Sequence, residues 1–214
     1  MNSIICIDGL SATGKTTISK ELAKRLNFNH ISSGNIYRSI TYLLLTNHIS
    51  LTDINILQSL LSSHNFKFVN SNGVFVNEQY LEKELREIIV EDNIKRVAQN
   101  PVVRAIVNGL IKKEVLNTNT VIDGRDIGTF VFPEADAKFF FVRDLKQKEL
   151  SEKLESGILN ESDFQYLDKR DIEDIKRTIA PLRKATDAIT IYSYEQDLDN
   201  LIIKVTAIAK NILN

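Results

Sequence analysis

Residues Ser3–Leu26 read SIICIDGLSATGKTTISKELAKRL, and this stretch decides the fold. Its first part, Ser3 to Asp8, is a short continuous run rich in Ile. Such a run predicts a strand buried on both faces of a parallel sheet. From Lys15 the pattern changes period. Ile18, Leu22 and Leu26 recur at i, i+4 and i+8, the apolar stripe of a helix. Between strand and helix lies Gly9-Leu10-Ser11-Ala12-Thr13-Gly14-Lys15-Thr16, a full match to G-x-x-x-x-G-K-[ST] in the context the motif requires. Backbone N–H groups of such a loop form a concave nest for phosphate oxygens, and the following helix turns its positive end toward them. Lys15 adds a charge for the β- and γ-phosphates, and Thr16 a hydroxyl for Mg²⁺. The alternative is a Gly-rich turn before an ordinary helix with an exposed lysine.

The same alternation continues outward. Short apolar runs near Phe28–Ile31 and at Thr120–Asp123, Ala137–Val142 and Ala188–Tyr192 predict further strands. Helical patterns lie between them, over Asn35–Thr46 and Pro101–Leu116. The tail, Glu195–Leu213, carries Leu198, Leu201, Ile202, Val205, Ile208 and Ile212 as its stripe. Strands alternating with helices predict an α/β fold: a five-stranded parallel P-loop sheet flanked by helices. Two segments break the rhythm. Phe66–Tyr80 reads as a hairpin inserted on the core, with Asn72-Gly73 as its turn. Leu145–Lys176 is long, polar and charged, the pattern of a helical arm or lid.

Composition narrows the class. The 214 residues carry 27 Lys plus Arg against 28 Asp plus Glu, a net charge of −1, which argues against a dedicated nucleic-acid binder. A chain of this length buries roughly 70% of its unfolded surface and needs no staples. The single cysteine, Cys6, makes no internal disulfide, which fits a reducing compartment. Three scattered histidines argue against a histidine metal site. No signal peptide and no run of roughly 20 apolar residues is present, so a cytoplasmic location without a membrane partner is expected.

Of eight glycines, five (Gly9, Gly14, Gly34, Gly124 and Gly128) fall in three short clusters. After the P-loop, the second cluster is Ser32-Ser33-Gly34-Asn35-Ile36-Tyr37-Arg38, following a strand and opening a helix. Arg38 can fork onto a phosphate and Tyr37 can pack on a base or sugar; the alternative is a capped helix with a surface arginine. The third is Asp123-Gly124-Arg125-Asp126-Ile127-Gly128, at the carboxyl end of a buried strand, where open α/β sheets bind ligands. There Asp123 sits where an acidic residue approaches Mg²⁺, Arg125 can pair with a phosphate, and Asp126 can accept from a substrate. The alternative is a turn closed by an Arg–Asp pair. A fourth, charged run is Arg170-Asp171-Ile172-Glu173-Asp174-Ile175-Lys176-Arg177. If helical, it sets Arg170, Asp174 and Arg177 on one face, suited to a phosphorylated sugar or else simply to solvent. P-loops serve many functions. No base-reading Asn/Thr-Lys-x-Asp of GTPases is present, and the length suits a small-molecule or nucleotide kinase.

Taken in order, these stretches resemble the bacterial cytidylate kinase family. IDGLSATGKTT resembles its I-D-G-P-x-G-x-G-K-x-T, and SSGNIYR its D-S-G-x-x-Y-R. IDGRDIGTFVFPEADAKFFF resembles D-G-R-D-x-G-T-x-V-F-P-x-A-x-x-K, and RDIEDIKRTIAPLRKATDAI resembles R-D-x-x-D-x-x-R-x-x-x-P-L-x-x-A-x-D-A. The resemblance covers nearly the whole chain. It implies one domain over 1–214, with a core of about 1–60, 94–144 and 178–214, a nucleoside-monophosphate-binding insertion of about 61–93, and a lid of about 145–177. It implies ATP-dependent phosphorylation of CMP and dCMP, by a monomer. Gly9, Leu10, Ser11, Ala12, Thr13, Gly14, Lys15, Thr16 and Thr17 would hold ATP, with Mg²⁺ at Thr16 and Asp123. Lys15, Arg125, Arg170 and Arg177 would be catalytic. Arg38, Arg125, Arg170 and Arg177 would surround the CMP phosphate and the transferred group, Asp174 the ribose, Ser33 and Tyr37 the monophosphate pocket, and Arg104 with Asp126 the cytosine. The chain departs from the family pattern in four respects: Lys95 replaces a base-contacting Ser, lysines replace the lid arginines, Leu10 replaces a Pro and Ser32 an Asp. Other readings of the same motifs are a different P-loop small-molecule kinase and a non-catalytic nucleotide-binding regulator.

Overall fold

The structure is a computed structural model and describes residues 2–68, 72–194 and 197–213, with only the backbone at residue 145. In chain order the elements are β1 (Ile4–Gly9), α1 (Lys15–Leu26), β2 (Asn29–Ser32), α2 (Ser33–Thr46), α3 (Ile54–Ser63), β3 (Phe66–Phe68), β4 (Val74–Val76), β5 (Gln79–Leu81), α4 (Ile88–Gln99), α5 (Pro101–Val115), β6 (Thr120–Asp123), β7 (Ala137–Val142), α6 (Leu145–Ser156), α7 (Lys169–Ile175), β8 (Ile189–Tyr192) and α8 (Leu198–Leu213). A five-stranded sheet has the order β2-β6-β1-β7-β8, and a three-stranded sheet the order β3-β4-β5. The chain divides into two compact units, Met1–Asn29 with Thr118–Asn214, and His30–Asn117.

In the first unit β1 pairs in parallel with β6 (Ile4↔Thr120) and with β7 (Ile5↔Ala137), and β7 pairs in parallel with β8. The run AKFFFV, apolar except for Lys138, shows why these strands are mainly apolar. Side chains alternate faces along a strand, and both faces here are buried. Phe139 and Phe141 pack with Ile5, Ile7, Leu22, Leu201 and Val205. Phe140 and Val142 pack with Leu10, Leu150, Leu154 and Leu182. Because the strands are parallel, β1, β6, β7 and β8 all end at one edge. The P-loop and the Asp123–Gly128 loop leave the sheet there, which places their side chains at one end of the unit.

The second unit holds α2 to α5 and the small sheet. The hairpin expected over Phe66–Tyr80 is present as β3 and β4, paired antiparallel with Phe66 opposite Val76. Part of its connection, residues 69–71, lies outside the described residues. A third strand follows: β5 pairs antiparallel with β4, Val76 opposite Gln79. Its tight turn runs through Asn77, in the left-handed region at φ 56°, which Asn tolerates better than most residues. Gly73 is required by this third strand, because a Cβ there would stand 2.1 Å from the Leu81 carbonyl oxygen.

The remaining boundaries shift by small amounts. The second helix starts at Ser33, two residues before the expected Asn35; Ser32 takes the cap position, but its side chain makes no capping hydrogen bond. The arm expected over Leu145–Lys176 contains α6, a 3-10 segment at Glu161–Tyr166, and the seven-residue α7. Residues 195 and 196 of the expected tail helix lie outside the described residues, and α8 begins at Leu198. Among the described residues no helix is long and apolar enough to cross a membrane.

Candidate active site

The P-loop is shaped by three residues with positive φ. Gly9 has φ 142°, Ala12 φ 55° and Gly14 φ 76°. At Gly9 the constraint is spatial as well, since a Cβ would stand 2.3 Å from the Phe141 carbonyl oxygen on β7. Ala12 is an L-residue in the left-handed region, a local strain of the kind found at functional loops. Gly14 caps α1, and its carbonyl accepts from Ile18 N–H at 3.1 Å. Leu10 is buried in the core, and Thr13 Oγ1 donates to its carbonyl at 3.0 Å. The Lys15 ammonium folds back onto the loop, donating to the Leu10 carbonyl and to Thr13 Oγ1. Burial, with the charge of Arg125 next in importance, pulls the Lys15 pKa down to about 7. Thr16 Oγ1 donates to Asp123 Oδ2 at 3.0 Å, and Thr17 is exposed.

The loop after β6 is anchored from β1. Asp8, buried, accepts from Ile127 N–H at 2.9 Å and from Gly128 N–H at 2.7 Å. These two bonds hold the turn that carries Arg125 and Asp126. Burial raises the Asp8 pKa to about 7, against the two amide hydrogen bonds that lower it. Gly124 N–H continues the ladder by donating to the Ile7 carbonyl at 3.0 Å.

Arg125 is fastened to the P-loop. Its Nη1 donates to the Gly9 carbonyl at 3.0 Å and its Nη2 to Ser11 Oγ at 2.8 Å. Nη1 also donates to Asp171 Oδ1 at 2.6 Å, and Nε lies 3.4 Å from Asp174 Oδ2. Asp171 Oδ1 and Oδ2 accept from Ser11 N–H at 2.9 and 3.0 Å, and Oδ1 accepts from Ser11 Oγ at 2.8 Å. Arg177 lies 3.5 Å from Asp174 and 3.6 Å from Asp126, and its Nη2 donates to the Ala180 carbonyl at 2.6 Å. Its buried Nε has no hydrogen-bond partner among the described residues.

The structure thus gathers Lys15, Thr16, Asp123, Arg125, Asp126, Asp174 and Arg177 at one end of the first unit. The helical face expected for Arg170, Asp174 and Arg177 is not formed as such. Helix α7 ends at Ile175, so Arg177 lies beyond it and reaches Asp174 from the following turn, while Arg170 is exposed. The sequence reading missed Asp8 and Asp171. For Asp8 a signal existed, a charge in a strand otherwise apolar; for Asp171 the surrounding charge run hid it.

In the second unit, Ser33, Tyr37 and Arg38 occupy the first turns of α2, all buried. Arg38 makes a two-point ion pair with Glu91 of α4, Nε to Oε1 at 2.7 Å and Nη2 to Oε2 at 3.3 Å. No spacing signal marked Glu91. Arg104, buried on α5, donates to the Ala98 carbonyl at 3.2 Å and lies over the Tyr37 ring, 5.9 Å from its centroid. Lys95 is exposed on α4. Among the lid lysines, Lys153 donates to Asp163 at 2.6 Å, and Lys148 lies over the Tyr192 ring at 5.2 Å.

Comparison with known proteins names the family. The cytidylate kinase family model matches residues 5–211. The cytidylate kinase of Aster yellows witches'-broom phytoplasma (strain AYWB) is 35% identical over 210 residues, covering 95% of this chain and 94% of that one. Those of Alkaliphilus metalliredigens (36% over 210 residues, 95% and 94% covered) and Streptococcus suis strain 05ZYH33 (36% over 226 residues, both chains covered in full) are similar to it as well. The match spans both units and all four glycine- and arginine-bearing motifs, and by it the chain belongs to the cytidylate kinase family.

Proposed function

We propose that the chain transfers the γ-phosphoryl group of ATP to the phosphate of CMP and dCMP, giving CDP and dCDP. The observation that carries this is Arg125, a phosphate-binding side chain hydrogen-bonded to Gly9 and Ser11 of the donor loop.

The acceptor phosphate is already ionised, so no strong general base is required, and catalysis comes from alignment and charge neutralisation. Gly9 to Thr17 hold the donor phosphates, and Lys15 swings from the Leu10 carbonyl to the β- and γ-oxygens. Arg125, Arg170 and Arg177 neutralise charge on the transferred group. In the second unit Ser33, Tyr37 and Arg38 are assigned to the monophosphate and Arg104 to the cytosine; in the first, Asp174 is assigned to the ribose and Asp126 to the cytosine. The buried Arg177 Nε has no acceptor among the described residues, which supports its use by a substrate oxygen.

Thr16 and Asp123 fit Mg²⁺. They supply two hard oxygens in contact at 3.0 Å, and Mg²⁺ is ordinarily held by one or two protein oxygens together with substrate phosphates and water. The surrounding charges agree: Lys15, Arg125 and Arg177 face Asp8, Asp123, Asp126, Asp171 and Asp174, an acidic excess that a divalent cation offsets. When bound, the ion supplies charge neutralisation at the phosphate oxygens.

We assign residues 61–93 to monophosphate binding and 145–177 to a lid that excludes water during transfer, in a monomeric protein with ATP and CMP or dCMP as its ligands. The test is ADP release from ATP and Mg²⁺ with CMP, dCMP, UMP and AMP offered separately. Stimulation by CMP and dCMP alone supports the reading. Equal stimulation by UMP assigns a relaxed base pocket, to be traced through Lys95→Ser. ATP binding without stimulation by any acceptor overturns the kinase reading in favour of a regulator.

A further inference from the structure

We propose that Asp171, a residue of the lid helix α7, is a positioning residue that sets Arg125 and the P-loop as one unit. The proposal rests on the kinase reading above. Asp171 is fully buried, 0% exposed, and its carboxylate gathers donors from two segments far away in sequence. Ser11 gives its backbone N–H (2.9 and 3.0 Å) and its hydroxyl (2.8 Å), and Arg125 gives Nη1 (2.6 Å). The ring is closed by Arg125 Nη2, which donates to Ser11 Oγ at 2.8 Å. Charge-assisted hydrogen bonds of this kind are the strong ones, and they fix direction as well as distance.

Counting donors shows what the ring achieves. A guanidinium has five N–H groups. Both Nη1 hydrogens are taken, by the Gly9 carbonyl and by Asp171, and one Nη2 hydrogen is taken by Ser11. The remaining Nη2 hydrogen and Nε have no hydrogen-bond acceptor among the described residues, and Asp174 stands 3.4 Å from Nε. Asp171 therefore fixes the plane of the guanidinium, with Nε facing Asp174 and the remaining Nη2 hydrogen left for a phosphate oxygen. Because it also holds the Ser11 amide, the lid helix, the donor loop and the phosphate-binding arginine are set by one carboxylate. Displacing reacting groups by about 1 Å costs up to roughly 100-fold in rate, which gives the scale of the effect.

The experiment compares Asp171→Asn, Ser11→Ala and the double variant with the unchanged protein, measuring kcat, KM for ATP and CMP, ATP affinity by direct titration, and thermal unfolding. Asn keeps the shape but turns an N–H₂ toward the Ser11 or Arg125 donors. The expected result is a kcat lower by roughly 10–100-fold with ATP affinity within about threefold. Ser11→Ala is expected to lose about fivefold in kcat, and the double variant to be no slower than Asp171→Asn, since both break one ring. Equal kcat for Asp171→Asn and the unchanged protein overturns the proposal, as does strict multiplication of the two losses. A purely structural role predicts a lower melting temperature with kcat of the folded fraction intact, which also overturns it. If Asp171→Asn does not fold, Ser11→Ala alone decides, and an unchanged kcat there refutes the ring. Absence of CMP-stimulated turnover in the unchanged protein is the failure of the kinase reading itself, read before any variant.

Discussion

Lys15 illustrates how a single side chain is prepared for work. Its ammonium sits on the Leu10 carbonyl and Thr13 hydroxyl, with a pKa lowered to about 7 by burial. Phosphate oxygens favour the charged form, so ATP binding raises that pKa again. The sign follows by linkage: above pH 7 the nucleotide-free protein has lost the proton that the bound state holds, so binding takes up a proton and weakens as pH rises. At pH 8, above that pKa, the proton taken up on binding is assigned to Lys15. The uptake is measured as the difference in ATP-binding enthalpy between buffers of unlike ionisation heat, and it vanishes in Lys15→Met. Lys15→Ala is expected to lower kcat by roughly 10²–10³, the scale for one preorganised electrostatic group; near-normal turnover defeats the assignment. Asp174 makes a different prediction. It lies near both Arg125 and Arg177, at 3.4 and 3.5 Å. If it also receives the ribose, Asp174→Ala lowers kcat/KM for CMP more than for dCMP, and equal losses contradict that role.

At the scale of elements, the ends of strands and helices carry the precision. The last residue of β1 is Gly9, which runs against Phe141 with no space for a Cβ. Gly9→Ala must push β1 and β7 apart or reshape the loop, so a loss of more than about 2 kcal/mol in urea unfolding is expected, with ATP affinity falling in parallel. Helix α5, which carries Arg104, begins with Asn100, whose side chain accepts from Val102 N–H at 2.9 Å and Val103 N–H at 3.2 Å. Pro101 follows at the first helical position, where its missing N–H is harmless. Asn100→Ala is expected to cost about 1 kcal/mol and Asn100→Asp much less, measured by the same unfolding. The start of α5 at Pro101 was legible in the sequence, and its Asn100 cap emerged from the structure. The third strand of the small sheet was not legible, because its turn at Asn77-Glu78 lacks the glycine that marked the first.

For the molecule as a whole, ligands that bind only the folded state stabilise it by mass action. ATP with Mg²⁺ at 100 times its Kd adds about 2.7 kcal/mol, or roughly 5–10 °C in Tm for a chain of this size, and CMP added afterwards raises Tm further. A shift with ATP and none with CMP, at acceptor concentrations up to millimolar, counts against the acceptor assignment. The parallel α/β sheet was legible in the chain alone, since strands buried on both faces are mainly apolar, and AKFFFV, SIICID and TVID are centred on Phe, Ile and Val with Lys138, Asp8 and Asp123 as their charged residues. The sequence by itself also determined the phosphate loop, because a concave run of amides before a helix needs Gly at fixed spacing, a requirement written locally. What only the tertiary structure decided are the partners of the charges. Asp8, Asp171 and Glu91 are acidic residues among 28 Asp and Glu; its apolar strand sets Asp8 apart, but nothing local names the partner of any of the three. Their roles arise because the fold brings residue 8 to residues 127 and 128, residue 171 to residues 11 and 125, and residue 91 to residue 38. Apolar periodicity is a property of neighbours along the chain, whereas a charge is satisfied by whatever folding sets within about 3 Å of it.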